Sequence, residues 1–386
     1  MIASYLFRPF PNPIAVKRPL ADWLFWYGAA LFMLALIPLF FWIVEPSLHG
    51  RNGLRIGADS AIYLWYAGLP SDAMLLKTAY HIEQPYPDEI TFIALGGNYI
   101  GPYLIATVMQ SNFGIMLLNY SLFFVSLHYL FKLKNINAKV LMVLLLINPI
   151  TAVSIMTLNK EMIVLLAASL FAYYLEARSK FLLLVLLAVS VLARWEQAAC
   201  VLIFLVLASW LNPLKRRRWT TLAFIMFGIT LAYPQMSAFV NATFMSDAEI
   251  KGGLMPSLFW LQEHYLFALA LIPKLLMNAI GNFVTMFFIK NWNWSDLQNS
   301  FVGPFSGLLM IAAAIAVMKS KRLTLRNDLI YYAAMSTVIL AASPLLQPRY
   351  LYPIYIVCCV ELARRLPENE VCSIPIMGNS GVIQTI

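Results

Sequence analysis

The residues best equipped for chemistry sit at three short polar interruptions between apolar runs: Asn159-Lys160-Glu161, Arg194-Trp195-Glu196-Gln197 and Gln347-Pro348-Arg349-Tyr350. Lys160, Arg194 and Arg349 supply positive charge. Arginine also offers a rigid donor fork matched to phosphate oxygens. Glu161 and Glu196 supply carboxylates. Asp59 lies in Gly57-Ala58-Asp59-Ser60-Ala61-Ile62-Tyr63, where glycine lets backbone approach a ligand closely. A positioned carboxylate there is a candidate general base, able to take a proton from an attacking hydroxyl for about 10²–10⁴ in rate. Lys274, inside the apolar stretch from Leu266 to Ile289, is a weaker phosphate candidate. Together the three cations suit a phosphate leaving group, and Asp59 or Glu196 suits activation of an acceptor.

Each of these residues also has a structural reading that stays open. Asp59 is a favoured N-cap for a helix beginning at Ser60 or Ala61. Lys160 and Glu161 make a local ion pair at a helix start, with Glu161 favoured by the helix dipole. Arg194 and Glu196 make a self-neutralising pair that closes a hairpin. Arg349 snorkels beside aromatic anchors, and snorkelling is the preferred reading for Lys274. His81, His128 and His264 show no metal-ligand spacing with carboxylates, so no metal or cofactor is indicated, although a divalent ion is compatible with the carboxylates. The sequence has no P-loop, dinucleotide fingerprint or hydrolase elbow.

The elements that must position these residues are membrane helices. Hydrophobic residues make up 61% of the chain and charged residues 12%, with a mean hydropathy of +0.74. Spanning segments are expected near 23–44, 114–131, 139–157, 162–176, 181–193, 198–212, 219–235, 301–318, 328–343 and 350–362, about ten passes. The first run, Trp23 to Val44, is too long for a signal peptide. The segment 1–22 and the tail 366–386 are expected in the cytoplasm, flanking one transmembrane unit, 23–365, with large outer loops at 45–113 and 235–300. The run Tyr99 to Gln110 reads as a surface-lying amphipathic helix. The stretch 266–289, interrupted by Pro273, Lys274 and Gly281, reads as a re-entrant or surface-lying hairpin, with two short passes as the other possibility.

The formal charge of +9 does not point to nucleic acid. On this topology 18 of the 27 basic residues lie on the inner side with 6 acidic ones, and the outer side holds 9 basic and 12 acidic residues. That asymmetry is the positive-inside pattern. Three of the four cysteines, Cys200, Cys358 and Cys359, lie in apolar runs and Cys372 in the inner tail, so no disulfide is expected. All three polar tips fall on the outer side. The hairpin from Phe181 to Leu211 is short for two passes, since a comfortable pass takes about 20 apolar residues. Its tip is therefore expected below the membrane surface, where ionisable groups are usually functional.

The order of these motifs resembles the GT-C-type integral membrane glycosyltransferases that use polyprenyl-phosphate-linked sugars, and the related polymerases of surface polysaccharides. The resemblance rests on Gly57 to Tyr63, Asn148-Pro149 followed by Asn159-Lys160-Glu161, Arg194-Trp195-Glu196, and Arg349-Tyr350-Leu351-Tyr352-Pro353. It implies an all-α polytopic bundle with re-entrant or surface helices in two outer loops. It implies Asp59 as catalytic base, with Glu196 as rival, and Arg349 on the donor phosphate. Lys160, Glu161, Arg194, Tyr350 and Lys274 would line the substrate site. The implied partners are a lipid-linked sugar donor, a glycan acceptor and membrane lipids, at the outer face of a bacterial inner membrane. A repeat-unit polymerase of O-antigen, capsule or exopolysaccharide is the alternative, and a lipid or solute transporter the second.

Overall fold

The computed structural model describes residues 21–49, 51–52, 54, 60, 63–64, 100–244, 255–288, 301–320, 324–342 and 348–364. The described chain is all-helical, and its one extended contact is an isolated bridge between Ile136 and Arg364. The elements are α1 (Ala21–Leu39), a π-helical turn (Phe40–Val44), α2 (Glu45–Leu48), α3 (Ile100–Met109), α4 (Asn112–Phe131), α5 (Ala138–Leu146) and α6 (Pro149–Met156). They continue with α7 (Glu161–Ala177), α8 (Lys180–Ala193), α9 (Trp195–Ala208), α10 (Arg218–Phe244), α11 (Met255–Glu263), α12 (Phe267–Phe288), α13 (Gly303–Lys319) and α14 (Asp328–Leu340). A 3₁₀ turn (Pro348–Leu351) leads into α15 (Tyr352–Ala363).

Helix α7 is the centre of the bundle. Every residue from Glu161 to Ala172 is buried, as expected of a helix that is apolar all round. It packs against α4, α6, α8, α14 and α15. The outer surface, in contrast, exposes many large apolar side chains, including Trp42, Leu184, Phe224 and Ile272. An apolar exterior of this kind suits lipid better than water.

Two helical stretches among the described residues are long and apolar enough to cross a membrane alone, Ala30–Leu48 and Asn112–Phe131. The pair α5–α6 adds a third if it is taken as one span, bent by 74°. Among the described residues, length and composition therefore mark two or three of the ten expected crossings. The reason is helix length: α8 and α9 have 14 residues each, which reaches about 21 Å at 1.5 Å per residue. A hydrocarbon core is roughly 30 Å thick.

The α5–α6 bend has a local cause. Pro149 has no N–H to continue the helical ladder, and the Asn148 side chain accepts from the Ile150 amide at 3.0 Å to start α6 afresh. The far end of α6 is tied by Asn119 of α4, whose Nδ2 donates to the carbonyls of Thr157 (2.8 Å), Ser154 (3.1 Å) and Ile155 (3.4 Å). These are carbonyls that a helix end leaves without partners. Thr151 Oγ1 and the Tyr352 hydroxyl, 2.8 Å apart, join α6 to α15.

The opposite end of the bundle carries the basic clusters. Asp328, at the start of α14, receives Arg178 Nη2 from the end of α7 at 3.0 Å and Arg218 Nη2 from the start of α10. Arg218 also donates to the Leu325 and Arg326 carbonyls. Glu176 holds Arg364 at 3.6 Å and accepts from the Lys134 amide at 3.0 Å. The ends of α7, α10, α14 and α15 are thus knotted on the side that sequence assigns to the cytoplasm.

Two expectations need correction. The stretch 266–289 is not a hairpin in itself: α12 runs unbroken through Pro273 and Gly281. The reversal comes earlier, at His264 to Leu266, where Tyr265 adopts a left-handed φ of 60° and α11 folds back on α12. A single proline removes one ladder bond, and an apolar helix with packed neighbours tolerates that loss. The helix at 100–109 is present but is docked on α8. A Cβ at Gly101 would lie 2.2 Å from the Leu192 carbonyl oxygen, so only glycine permits this approach.

Asn119→Ala leaves the fully buried end of α6 without its donor. The expected outcome is a loss of about 1–3 kcal/mol, read as a lower thermal midpoint of the detergent-solubilised protein. A midpoint equal to wild type would show that the α6 carbonyls do not depend on Asn119.

Candidate functional site

The site forms where the unpaired ends of short helices meet. After α6 ends at Met156, the connection to α7 stays inside the protein: Asn159, Lys160 and Glu161 are each 5% exposed or less. Lys160 is the N-cap residue of α7, and Glu161 stands in its first turn, where the positive end of the helix dipole favours a carboxylate. Arg194 ends α8 and begins α9 in one extended residue (φ −163°, ψ 131°). A one-residue break leaves no loop to lift its side chain to the surface, and Arg194 is 5% exposed.

The structure brings the three tips together. Arg194 Nη2 lies 3.6 Å from Glu161 Oε1. The Arg194 guanidinium stands 4.3 Å from the centre of the Tyr350 ring, and the Arg349 guanidinium 5.8 Å from the same ring. Both guanidiniums thus approach the Tyr350 ring, drawn by the negative charge of its π face. The 3₁₀ turn that carries Arg349 and Tyr350 also packs on α12 and α13. Ser60, the residue after Asp59, is fully buried and donates from Oγ to the Leu158 carbonyl at 2.9 Å. Asp59 itself lies outside the described residues.

The polar atoms here are incompletely used. Among the described residues, Glu161 Oε1 and Oε2, Arg194 Nε, Asn159 Oδ1 and Gln197 Oε1 are buried without a hydrogen-bond partner. The Glu161–Arg194 contact is an ion pair longer than a good charge-assisted hydrogen bond, which runs about 2.7–2.9 Å. Buried polar groups are normally satisfied. A cluster that keeps several donors and acceptors open is able to take a polar, anionic or hydroxyl-rich ligand.

The other expected residues fall as follows. Glu196 is half-buried in the first turn of α9, but the carboxylate that pairs with Arg194 is Glu161. Adjacent turn residues on a helix start point apart, whereas the tip of α7 faces the tip of α8. Arg349 and Tyr350 are half-buried. Lys274 does not snorkel: it is 1% exposed, with its ammonium donating to Gln262 Oε1 at 3.1 Å and lying 5.6 Å from the Phe259 ring. Its partners among the described residues belong to the α11–α12 hairpin. Sequence reasoning missed Asn119 and the Thr151–Tyr352 bond, and it gave Gln197 of the second tip no role. A lone asparagine inside the apolar run of α4 was the available signal for Asn119. Among the described residues no group of three or more His, Cys, Asp or Glu side chains is assembled. Cys200, Cys358 and Cys359 are buried free thiols.

No protein-family model, no curated protein and no solved structure matches this chain.

The Glu161–Arg194 pair makes a coupling prediction. Removing one partner of a buried pair strands the other and costs about 3–5 kcal/mol. Arg194→Gln should therefore lower the thermal midpoint strongly, and Glu161→Gln added to it should recover part of the loss. Strictly additive losses in that double-mutant cycle would mean that the two charges do not sense each other.

Proposed function

We propose that this chain is a membrane glycosyltransferase that moves a sugar from a polyprenyl-phosphate-linked donor to a lipid-linked or surface glycan at the outer face. The observation that carries the reading is the convergence of Arg194, Glu161 and Tyr350, whose ring Arg349 also approaches, at one buried point where several described polar atoms lack a hydrogen bond. In the proposed reaction an acceptor hydroxyl attacks the anomeric carbon and the bond from that carbon to the phosphate oxygen breaks. Asp59 takes the hydroxyl proton, and Arg194, Arg349 and Lys160 hold the departing phosphate. Fixed guanidiniums in a dry site require little reorganisation as negative charge builds on the leaving group. A repeat-unit polymerase would run the same displacement on a lipid diphosphate.

The full proposal includes about ten passes, with the tips of α7, α8 and α15 opening outward and the Asp328 knot inward. Short helices are compatible with this where the tips line a cavity that reaches into the membrane. Single cysteines placed at Arg217 and at Trp195, both exposed, in a background lacking Cys372, should be labelled by an impermeant thiol reagent from opposite sides. The native cysteines at 200, 358 and 359 are buried and should give little background. Labelling of both positions from one side would remove the orientation.

The second reading, transport of a lipid or solute, is favoured by the α5–α6 bend, since transporters use broken helices at their binding sites. Purified protein with a defined donor and acceptor separates the readings. One added sugar supports the transferase and a ladder of repeats supports the polymerase. Absence of product with demonstrable lipid or solute flux supports transport. Asp59→Asn should abolish product while leaving donor binding largely intact. Arg349→Ala should cost about 10²–10³ in kcat, with Arg349→Lys recovering part of it. Wild-type turnover by Asp59→Asn would take Asp59 out of the mechanism.

A further inference from the structure

At the basic end of the bundle a cavity of about 660 Å³ opens between the end of α9, the start of α10 and the segment before α14. Its lining includes Lys215, Arg216, Arg218 and Arg326, with Trp219 at the rim. The four cations do not share one role. Arg218 is fixed: it is bound to Asp328 and to the carbonyls of Leu325 and Arg326, and its guanidinium stands 4.8 Å from the Tyr331 ring. Lys215, Arg216 and Arg326 are exposed and have no ion pair among the described residues. The nearby carboxylate, Asp328, already answers two guanidiniums, those of Arg178 and Arg218. The cavity therefore keeps a net positive charge that no side chain of its own wall neutralises. Trp219, 75% exposed, is of the type that anchors at the boundary between headgroups and hydrocarbon.

We propose that this cavity is a phosphate-binding site that takes the headgroup of an anionic phospholipid from the leaflet on the basic side. A general attraction of basic loops to anionic membranes would act on any exposed cation, at about 1 kcal/mol per Lys or Arg. The cavity differs in having walls. Arg216 and Arg326 approach one space from two different chain segments, Arg218 forms a fixed backing, and an aromatic ring at the rim meets the acyl region. Arg217 is the internal comparison. It belongs to the same basic run and is exposed, but it does not line the cavity. The site lies at the opposite end of the bundle from Glu161 and Arg194 and does not depend on the sugar-transfer reading.

The test is native mass spectrometry of the full-length detergent-solubilised protein, titrated with phosphatidylglycerol, with phosphatidylcholine and, separately, with inorganic pyrophosphate. Wild-type protein should retain phosphatidylglycerol in preference to phosphatidylcholine. The Arg216→Gln/Arg326→Gln variant should weaken that retention by about tenfold or more, given two lost phosphate contacts. Arg217→Gln should leave it unchanged, and Arg216→Lys/Arg326→Lys should retain most of it. These are exposed residues, so an unchanged size-exclusion profile checks the fold. Pyrophosphate binding that the double glutamine variant abolishes, without any lipid preference, would support the phosphate site and assign it to a soluble ligand. Equal weakening by Arg217→Gln, or equal retention of the two lipids by wild type with no pyrophosphate binding, would overturn the proposal.

Discussion

Helix length is the constraint on which this structure depends. A 14-residue helix reaches about 21 Å, and the α8–α9 hairpin is made of two of them joined by Arg194 alone. Helices of that length, the first starting directly after the end of α7 that Arg178 ties to Asp328, leave the Arg194 tip inside the protein, 5% exposed. The charge has to be met inside. Glu161 meets it from the tip of α7, and the Tyr350 ring meets it from the turn before α15. The same geometry recurs in α6, eight residues long, whose end is capped by a side chain from α4 and not by water. Short helices thus convert what would be surface turns into buried polar junctions, and each junction draws its partner from a different helix.

The central position of α7 follows from that arrangement. Its first residues reach the buried tips and its last residues reach the basic knot: Glu161 at one end, Glu176 and Arg178 at the other. Between them lies an apolar run buried on every side, which contributes about 25 cal/mol for each Å² of apolar surface removed from solvent relative to an unfolded chain in water. Packing holds the helix in place, and the charges at its ends set the register of α8, α10 and α15 against it.

Much of this was legible from the chain. Apolar runs and their polar breaks gave α4, α7 to α9 and α13 to α15 within a few residues, but merged α5 and α6 into one segment and ended α10 nine residues early. Alternation of the basic clusters put all three tips on one side, and the structure brings Arg194, Glu161 and Tyr350 together. What escaped was pairing. Arg194 was set against Glu196 because they are two residues apart, but helix starts aim consecutive side chains in different directions, and the partner came from 33 positions earlier. Lys274 escaped because long-stemmed cations at interfaces usually snorkel. Only the fold of α11 back onto α12 reveals Gln262 as a buried acceptor for it. Ten full crossings were expected because hydropathy counts apolar residues and not the length a bent or interrupted helix attains, and by helix length two or three stand out among the described residues.

The two charged ends of the bundle use the same residue types with opposite geometry, and the contrast locates the site. At the basic end one carboxylate serves two guanidiniums, with a hydrogen bond of 3.0 Å to Arg178 and two carbonyls engaging the rest of Arg218. Little donor capacity of Arg218 remains, as in a structural strut. At the tips the carboxylate–guanidinium distance is 3.6 Å, and among the described residues both Glu161 oxygens and Arg194 Nε have no hydrogen-bond partner. Desolvating a charge pair without full hydrogen bonding is unfavourable, and an apolar pair in its place would often be more stable. In the proposed reaction this junction, beside a second guanidinium near the same aromatic ring, would be completed by the donor phosphate, whose oxygens match the fork geometry of arginine.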